Sequence, residues 1–479
     1  MNSLIISPSR LGLATFAGII GGIGIGSVGF ISLSIVFAAF VLSAFLLIDG
    51  FLRRRRLILL GFFLLALSLG ALRADFAFLP AARIEAKSVH VFATVQDTLS
   101  KTATAQRTLI SVRDESLPAQ ILLVSSPAPE LQRGDEILVS GTLKDIPAKY
   151  TSPGGPQAEI YFPKTIEVKS VGWSFVRLAD LIRQRFTRSL HAIFAEPAAA
   201  YMAGLLLGEK TSLPTSLKGA LSKTGTAHIV ALSGYNITIV AISISWLLLW
   251  FHASPRVRFL GGVLGILIFI FIASGGASGV RAAIMGFLGL LAKSRGRIFE
   301  MTNALLFAAV CMLALDPSLL IFNLSFQLSF LATLGLVIMT PILQPYLAWI
   351  PAGFDLRGTV AATLSAEIFV LPLISWHFGV VSLISPITNL LVLPLIPLTM
   401  LFGFIAAAVG ILIPWLGFLV GLAARVLISY ELGVITLTAK IPFASLNLSG
   451  PYALAFGLVP FLFASVYFYQ RLVSRHWPK

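Results

Sequence analysis

The chain of 479 residues is 57% hydrophobic and 11% charged, with a formal net charge of +15. Apolar runs long enough to span a bilayer recur along most of it, which excludes a soluble globular protein and predicts a polytopic α-helical membrane protein. The single cysteine, Cys311, excludes an internal disulfide and a cysteine metal site, and much of the positive charge fits topology signals, since cytoplasmic loops collect Lys and Arg.

Residues 1–75 predict N-terminal transmembrane helices. The glycine-rich apolar stretch at 11–48 is long enough for two closely packed helices with a turn near Ser27. Four arginines at 53–56 precede an apolar helix that begins at Leu57. The positive-inside rule makes these arginines cytoplasmic and directs the next helix outward. A nucleic-acid patch is the alternative interpretation of this basic run.

Residues 76–170 have the composition of a small soluble domain. Within residues 83–170, 10 Lys and Arg balance 10 Asp and Glu, so this part is neutral. The alternation of apolar and polar residues predicts five strands and therefore a small closed or partly open β-barrel outside the membrane. The predicted strands are 89–95, 108–112, 120–124, 136–143 and 165–170.

Residues 171–195 predict an amphipathic helix lying in the membrane interface, followed by the membrane domain at 196–479. The helix, 173–194, has seven apolar residues at helical spacing and arginines elsewhere on its surface. The apolar residues are Phe175, Leu178, Ala179, Ile182, Phe186, Leu190 and Ile193, and the arginines are Arg177, Arg183, Arg185 and Arg188. The following stretch PAAAYMAGLLLGEK, 197–210, has an apolar part too short to span a bilayer and predicts a re-entrant or buried segment.

Residues 226–250 form a membrane-length apolar run whose first third is polar. Drawn as one helix, the run brings four polar side chains onto one arc: His228, Ser233, Asn236 and Ser243. Such groups need partners or a wet cavity at this depth. Gly234 permits unwinding or close approach of another backbone. Ordinary packing of small and polar residues between membrane helices is the alternative interpretation.

Arg281 follows SGGASG, 274–279, where glycines and small residues interrupt an apolar run. Membrane segments that are short and broken by glycine indicate a transport site, and the planar guanidinium suits a passing phosphate. A fixed ion pair with Glu367, in the middle of a predicted helix at 358–376, is the alternative.

A helix predicted at 318–340 carries a polar stripe beside an aromatic one. The stripes consist of Ser325, Ser329 and Thr333, and of Phe322, Phe326 and Phe330, with Asn323 and Gln327 on the flank. This pattern suits a sliding single strand, whereas ordinary helix packing is the alternative.

The number of membrane crossings near the C-terminus stays open in the sequence. After residue 358, five apolar segments are predicted: 358–376, 379–395, 397–412, 414–437 and 451–470. Five crossings would put the basic tail outside, so either one segment is re-entrant or the positive-inside rule fails here.

The sequence predicts no cofactor and no metal site. Its six histidines lack metal-ligand spacing and no phosphate loop is present, so neither nuclease nor ATPase activity is expected.

A set of motifs in one order carries a family resemblance. HIVALSGYN at 228–236 resembles the central signature of the ComEC-type competence family, inner-membrane DNA-uptake channels. The remaining motifs are AGLLLGEK at 203–210, RAAIMG at 281–286, Asn303-Ala304-Leu305, Asp316-Pro317, FQLSF at 326–330 and Asn389 before Pro394. The strand-rich insert resembles the OB-like domain of the family. Many members continue into a metallo-β-lactamase-like domain, which is not expected in this short form.

The resemblance implies a multi-pass inner-membrane channel for single-stranded DNA in natural transformation. It implies an outside DNA receptor and a cytoplasmic helicase-type motor as partners, beside membrane lipid; a homo-oligomer stays open. A transporter or assembly factor for another polyanion or envelope precursor is the alternative function. DNA binding by the barrel is not indicated, because it is neutral and its aromatics are few: Phe92, Tyr150, Tyr161 and Phe162. The candidate channel residues are His228, Ser233, Gly234, Asn236, Arg281, Asn303, Ser325, Gln327, Ser329, Glu367 and Asn389.

Overall fold

The computed structural model describes most of the chain in two compact units. The described residues are 8–27, 33–52, 56–77, 86–448 and 458, with gaps at 102–103, 113, 115–116, 119, 130, 133, 147–155, 157, 172–174, 210–211, 232–233, 274–275 and 352–354. The first unit comprises residues 1–182 and 310–322, and the second comprises 183–309 and 323–479.

Three apolar helices open the first unit: α1 (Pro8–Ser27), α2 (Leu33–Leu52) and α3 (Arg56–Ala77). The turn predicted near Ser27 lies outside the described residues, which stop at Ser27 and resume at Leu33. The prediction that the first two helices pack closely against each other is wrong, because α1 and α2 both pack mainly against α3. Glycines four residues apart line the face of α1 that meets α3, and a Cβ at Gly26 would lie 2.8 Å from the Ala71 carbonyl oxygen. The missing side chains let the two backbones touch.

Gly22→Ala is expected to destabilise the first unit. A Cβ at Gly22 would overlap the backbone carbonyl of Leu67, and overpacking of this kind costs about 1–3 kcal/mol. The matched control is Gly21→Ala, where a Cβ would meet nothing within 4 Å. The thermal aggregation temperature of the detergent-solubilised protein should fall only for Gly22→Ala. Equal temperatures for the two variants would contradict the packing of α1 on α3.

A closed five-stranded barrel follows. Its strands are β1 (Lys87–Lys101), β2 (Gln106–Val112), β3 (Gln120–Ser125), β4 (Asp135–Asp145) and β5 (Ala158–Tyr161), with β6 (Thr165–Val171) beside it. The order β1-β2-β3-β5-β4 closes through pairing of β4 with β1, and only β3 and β5 are parallel. Alternate residues such as Ile110, Ile121 and Ile137 fill the interior. The predicted OB-like barrel is confirmed.

One strand assignment needs correction. The barrel is closed by β5, residues AEIY, which the sequence analysis did not predict, whereas the predicted strand at 165–170 is β6. Both β5 and β6 pair with the same strand, β4, over its last and first residues respectively. Four residues are too few for alternation to stand out, so β5 had no clear sequence signal.

The amphipathic helix is α4 (Phe175–Ile193). In the first unit, Arg177 pairs with the buried Asp135 of the barrel at 3.4 Å. In the second unit, Phe186, Leu190 and Ile193 are buried in a protein core. The predicted position of the whole apolar face in the membrane interface is therefore wrong for its second half, because that face packs on other helices.

The second unit is helical. Its helices are α5 (Ala198–Leu207), α6 (Thr215–Lys223), α7 (Gly234–Trp250), α8 (Pro255–Ile272), α9 (Ala277–Ser294), α10 (Met301–Leu315), α12 (Leu324–Leu343), α13 (Leu356–Phe378), α14 (Ser385–Val392), α15 (Ile396–Leu412) and α16 (Pro414–Thr438). The end of α10 and the short α11 (Leu319–Phe322) cluster with the first unit, and β7 (Val380–Ser382) pairs with β8 (Ser445–Asn447). Nine of the ten residues of α5 are buried, which confirms the prediction of a buried segment.

Five described helices are long and apolar enough to cross a membrane, namely α3, α8, α12, α13 and α16. The pair α14 and α15 adds a sixth span if it counts as one helix bent by 50°. The polytopic fold is confirmed. The separate span predicted at 379–395 is wrong, because α14 has eight residues and reaches only about 12 Å. The helix predicted at 318–340 is broken at Asn323, and the segment 451–470 lies outside the described residues apart from residue 458.

Candidate functional site

The polar signature at 226–236 is a turn followed by a helix start. Residues 227–231 form turns, and α7 begins only at Gly234. The predicted single arc is therefore wrong: His228 is exposed in the turn, while Asn236 is buried in the helix. Ser233 lies outside the described residues. Without a helical connection, the 100° spacing that put these side chains on one face does not apply.

Short hydrogen bonds and a glycine hold the signature turn. Thr224 and Thr226 join their hydroxyls at 2.7 Å, and Nδ1 of His228 lies 2.9 Å from the Gly225 carbonyl oxygen. Gly225 has φ +68°, and a Cβ there would lie 2.6 Å from Cβ of Ser385 at the start of α14. The turn is thus packed against the short half of the bent pair α14–α15.

Asn236 ties α7 to the buried helix α5. Its Nδ2 donates to the carbonyl oxygen of Leu205 at 3.0 Å. This carbonyl belongs to the last turn of α5, where no further helical N–H is available to it. Val230 packs against Gly204 of the same helix, since a Cβ at Gly204 would lie 3.0 Å from Cβ of Val230. Asn236 therefore supports the arrangement of the site.

Arg281 stands where α7, α9 and α12 meet. Its side chain is buried, and Nη1 donates to Oγ1 of Thr333 at 2.5 Å. Gly234 adjoins it, since a Cβ there would lie 3.5 Å from Nη2 of Arg281 and from Cβ of Ala282. Both of these near neighbours of Gly234 are side-chain atoms, whereas the sequence analysis allowed for the close approach of another backbone. The structure thus places Arg281 beside the signature glycine.

The partners of Arg281 are all neutral. Beside Thr333, Nη1 lies 3.7 Å from the Met285 sulfur, and the guanidinium lies 5.8 Å from the ring centre of Phe330. In the part of the chain that the structure describes, Arg281 makes no ion pair with Glu367. Nε of Arg281 is buried without a hydrogen-bond partner in that part. The alternative of a fixed ion pair with Glu367 is therefore wrong in this conformation.

The residues of the predicted polar stripe of α12 lie in different surroundings. Thr333 is buried and donates to the Ser329 carbonyl oxygen at 2.9 Å. The Phe326 and Phe330 rings lie 4.2 Å apart between centres. Asn323 is the N-cap of α12, accepting from the Phe326 N–H at 2.9 Å, and does not lie on the flank of a continuous helix. Ser325 is exposed and Gln327 half-buried, whereas the Ser329 hydroxyl is buried without a partner among the described residues.

The remaining candidates lie elsewhere in the second unit. Glu367 of α13 interacts with the hydroxyl of Ser385 on α14. Asn389, also buried, donates to the same hydroxyl at 3.1 Å. Asn303 donates to Glu300 at 2.7 Å at the start of α10. Two groups thus emerge: Arg281 with Gly234 and Thr333, and Glu367 with Ser385 and Asn389.

The comparisons with known proteins address the same region. Residues 205–473, more than half of the chain, match the family model described as "Competence protein". The chain belongs to this competence family. It is 22% identical over 228 residues to ComE operon protein 3 of Bacillus subtilis (strain 168), a match that covers 47% of this chain and 28% of that relative. The chain therefore spans less than a third of the relative it matches. No solved structure matches significantly.

One buried site of this competence-family chain escaped the sequence analysis. Glu431 of α16 is fully buried, and the Thr399 hydroxyl of α15 donates to its Oε1 at 2.5 Å. Tyr201 of α5 faces the same carboxylate. The sequence did contain a signal for this site, because Glu431 lies inside the predicted span 414–437. Ionisable groups at bilayer depth have partners or a function, which is the rule that drew attention to Glu367.

Proposed function

We propose that this chain is an inner-membrane channel that carries single-stranded DNA into the cytoplasm during natural transformation. Membership of the competence family supports a role in DNA uptake. The observation that carries the proposal of a channel is Arg281: a buried cation with neutral partners, beside the signature glycine Gly234. A cation buried at this depth without a counter-charge is costly. A phosphate supplies the counter-charge and fits the planar guanidinium.

The surroundings of Arg281 suit a strand that must keep moving. Among the described residues, no carboxylate pairs with the guanidinium and would compete with phosphate. The paired rings of Phe326 and Phe330 offer apolar faces, and the unpartnered Ser329 hydroxyl offers a weak hydrogen bond. Stacking and weak polar contacts bind single strands with little sequence preference. The channel thus contacts the DNA backbone and does not discriminate between the bases.

Energy and strand selection belong to other proteins in this proposal. A cytoplasmic helicase-type motor pulls the strand, and an outside receptor delivers it. The barrel is then outside the cytoplasmic membrane, with residues 53–56 inside. If α14 and α15 form one bent span, the segments after residue 356 and a crossing at 451–470 make four crossings. The basic tail then lies on the same side as Arg357, in accord with the positive-inside rule.

Reporter fusions test this topology. Alkaline phosphatase fused after Thr151, in the barrel sequence, should be active, and the same enzyme fused after Arg55 should be inactive. A fusion at the C-terminus should be inactive as well if α14–α15 is one span and the predicted segment 451–470 crosses, because four crossings would then follow Arg357. Fluorescent-protein fusions at the same sites serve as the reciprocal control. An inactive phosphatase at 151, together with a stable fusion, would overturn the proposed orientation.

Gene deletion tests the function. The deletion strain should bind labelled DNA at its surface but accumulate none in the cytoplasm, and the wild-type gene supplied in trans should restore uptake. Unchanged uptake would refute the channel. Normal uptake accompanied by an envelope defect would favour the transport of another polyanion. Expression of the complementing protein is checked by immunoblot, so that failure to complement is interpretable.

A further inference from the structure

A second membrane-buried site lies around Glu431, apart from the groups of Arg281 and Glu367. The carboxylate is contributed by α16, and its side-chain neighbours come from α15 and α5. Glu431, Thr399 and Tyr201 are all fully buried. None of the three has a role in the DNA path proposed above. We call these three residues the Glu431 cluster.

The hydrogen bonds of the Glu431 cluster are incomplete. Oε1 of Glu431 accepts from the Thr399 hydroxyl at 2.5 Å. Oε2 of Glu431 and Oη of Tyr201 are both buried and make no regular hydrogen bond among the described residues, although the tyrosine faces the carboxylate. Buried polar atoms without partners are rare and costly. The tyrosine and the carboxylate nevertheless interact, so a single bound proton would decide which of the two groups donates to the other.

The Glu431 cluster has no cation to balance it. The helices packed against α16 are α5, α6, α14 and α15, joined by the end of α4, where Ile193 meets Gly421. Among the basic residues of α4 in the second unit, Arg183 donates to the Ile272 carbonyl oxygen, His191 pairs with Glu196, and Arg185 and Arg188 are exposed. Helices α5, α14 and α15 contain no Lys, Arg or His, and Lys218 and Lys223 of α6 are exposed. On α16 itself, Arg425 donates to the Ile193 carbonyl oxygen and covers the Phe418 ring at 4.3 Å. No described basic side chain forms an ion pair with Glu431.

A proton is the ligand that fits this arrangement. An ionised carboxylate without a counter-charge is costly at membrane depth, and one bound proton removes the charge. The protonated Oε2 then donates to Oη of Tyr201, and the deprotonated carboxylate accepts from the tyrosine O–H instead. The two states differ by one proton and by the direction of one hydrogen bond. Oε1 keeps its bond from Thr399 in both.

We propose that Glu431, Thr399 and Tyr201 form a proton-binding site in the membrane, whose loading affects the bent helix pair α14–α15 during transport. The coupling follows from connectivity: Thr399 lies on α15, and Thr388 of α14 donates to Thr438 of α16 at 3.2 Å. The carboxylate and both halves of the bent pair are thus joined through α16. The proposal that the Glu431 cluster binds a proton does not depend on the proposed function, whereas the role of this proton in transport rests on the proposed DNA channel.

Infrared spectroscopy of the full chain in liposomes tests the site without DNA. At neutral pH the wild-type protein should show the carbonyl band of a protonated carboxyl group that Glu431→Gln lacks. Glu167→Gln, at an exposed barrel carboxylate, is the matched control and should leave the band in place. The band should persist when NaCl replaces choline chloride. Absence of a Glu431-dependent band, or its loss on addition of Na⁺, would overturn the proton site.

DNA uptake at different external pH values tests the coupling. Wild-type uptake should vary with pH, and Glu431→Gln should remove that dependence. Tyr201→Phe, which deletes only the hydroxyl, should shift the pH profile while the protein stays folded by gel filtration. An unchanged profile in both variants would overturn the coupling. A Glu431-dependent band in a protein that supports no uptake would leave the proton site standing and reject only the channel.

Discussion

Arg281→Ala is expected to lower DNA uptake by about 10- to 100-fold while the protein stays folded. A hydrogen bond between a charged side chain and its ligand contributes about 1.5–3 kcal/mol, and about 1.4 kcal/mol corresponds to a factor of ten. The fold should tolerate the change because Thr333 keeps its bond to the Ser329 carbonyl oxygen and none of the described carboxylates loses a partner. Uptake of labelled DNA into the cytoplasm is the measurement, with membrane content checked by immunoblot.

Three further variants separate a phosphate contact from a structural role of Arg281. Arg281→Lys should retain part of the uptake, because it keeps the charge and loses the planar fork. Arg295→Ala is the control, since this arginine is exposed directly after the same helix. Adding Glu367→Gln to Arg281→Ala should not restore stability or uptake. A stable Arg281→Ala protein with normal uptake would contradict the proposed path.

Gly225→Ala is expected to destabilise the second unit by about 2 kcal/mol or more. The left-handed conformation at φ +68° costs a residue with a Cβ about 1–2 kcal/mol. The added Cβ would also lie 2.6 Å from Cβ of Ser385, which cannot move without shifting α14. The melting temperature of the solubilised protein should fall, and the signature turn should separate from the bent pair.

Two variants isolate the causes of that loss. Gly219→Ala is the control, because a Cβ there meets nothing within 4 Å and alanine favours its helix. Gly225→Ala combined with Ser385→Gly should recover the part of the loss that comes from the clash, but not the part that comes from φ. If Gly225→Ala melts like Gly219→Ala, the close packing of the turn on α14 is refuted.

The barrel shows which strands can be predicted from sequence patterns. Four of its five strands were predicted because each alternates over five or more residues, and a sheet buried on one face imposes that alternation. The fifth, β5, is four residues long and pairs at only a few positions of β4. The strand at 165–170 has a clear pattern, but which partner it takes depends on the register along β4. Closure of the barrel is therefore a tertiary property.

The membrane part shows a different limit. Apolar length predicts where membrane helices lie, and α13, α15 and α16 agree with the predictions to within a few residues. Hydropathy does not show that the run 226–250 begins as a turn, because turn and helix can be equally apolar. It does not show either that α14 and α15 bend by 50°. Such breaks depend on neighbours that satisfy the freed backbone groups.

By itself the sequence determined the polytopic class, the inserted barrel and the family motifs, and it singled out Arg281 as a candidate, since composition, periodicity and ordered motifs are local properties of the chain. Only the tertiary structure decided that Arg281 meets Thr333 instead of Glu367, that Gly225 touches Ser385, and that Glu431 faces Thr399 and Tyr201. These pairs join residues far apart in the chain. Which distant side chains meet depends on how the helices pack, and packing is set by the whole interface rather than by any one segment.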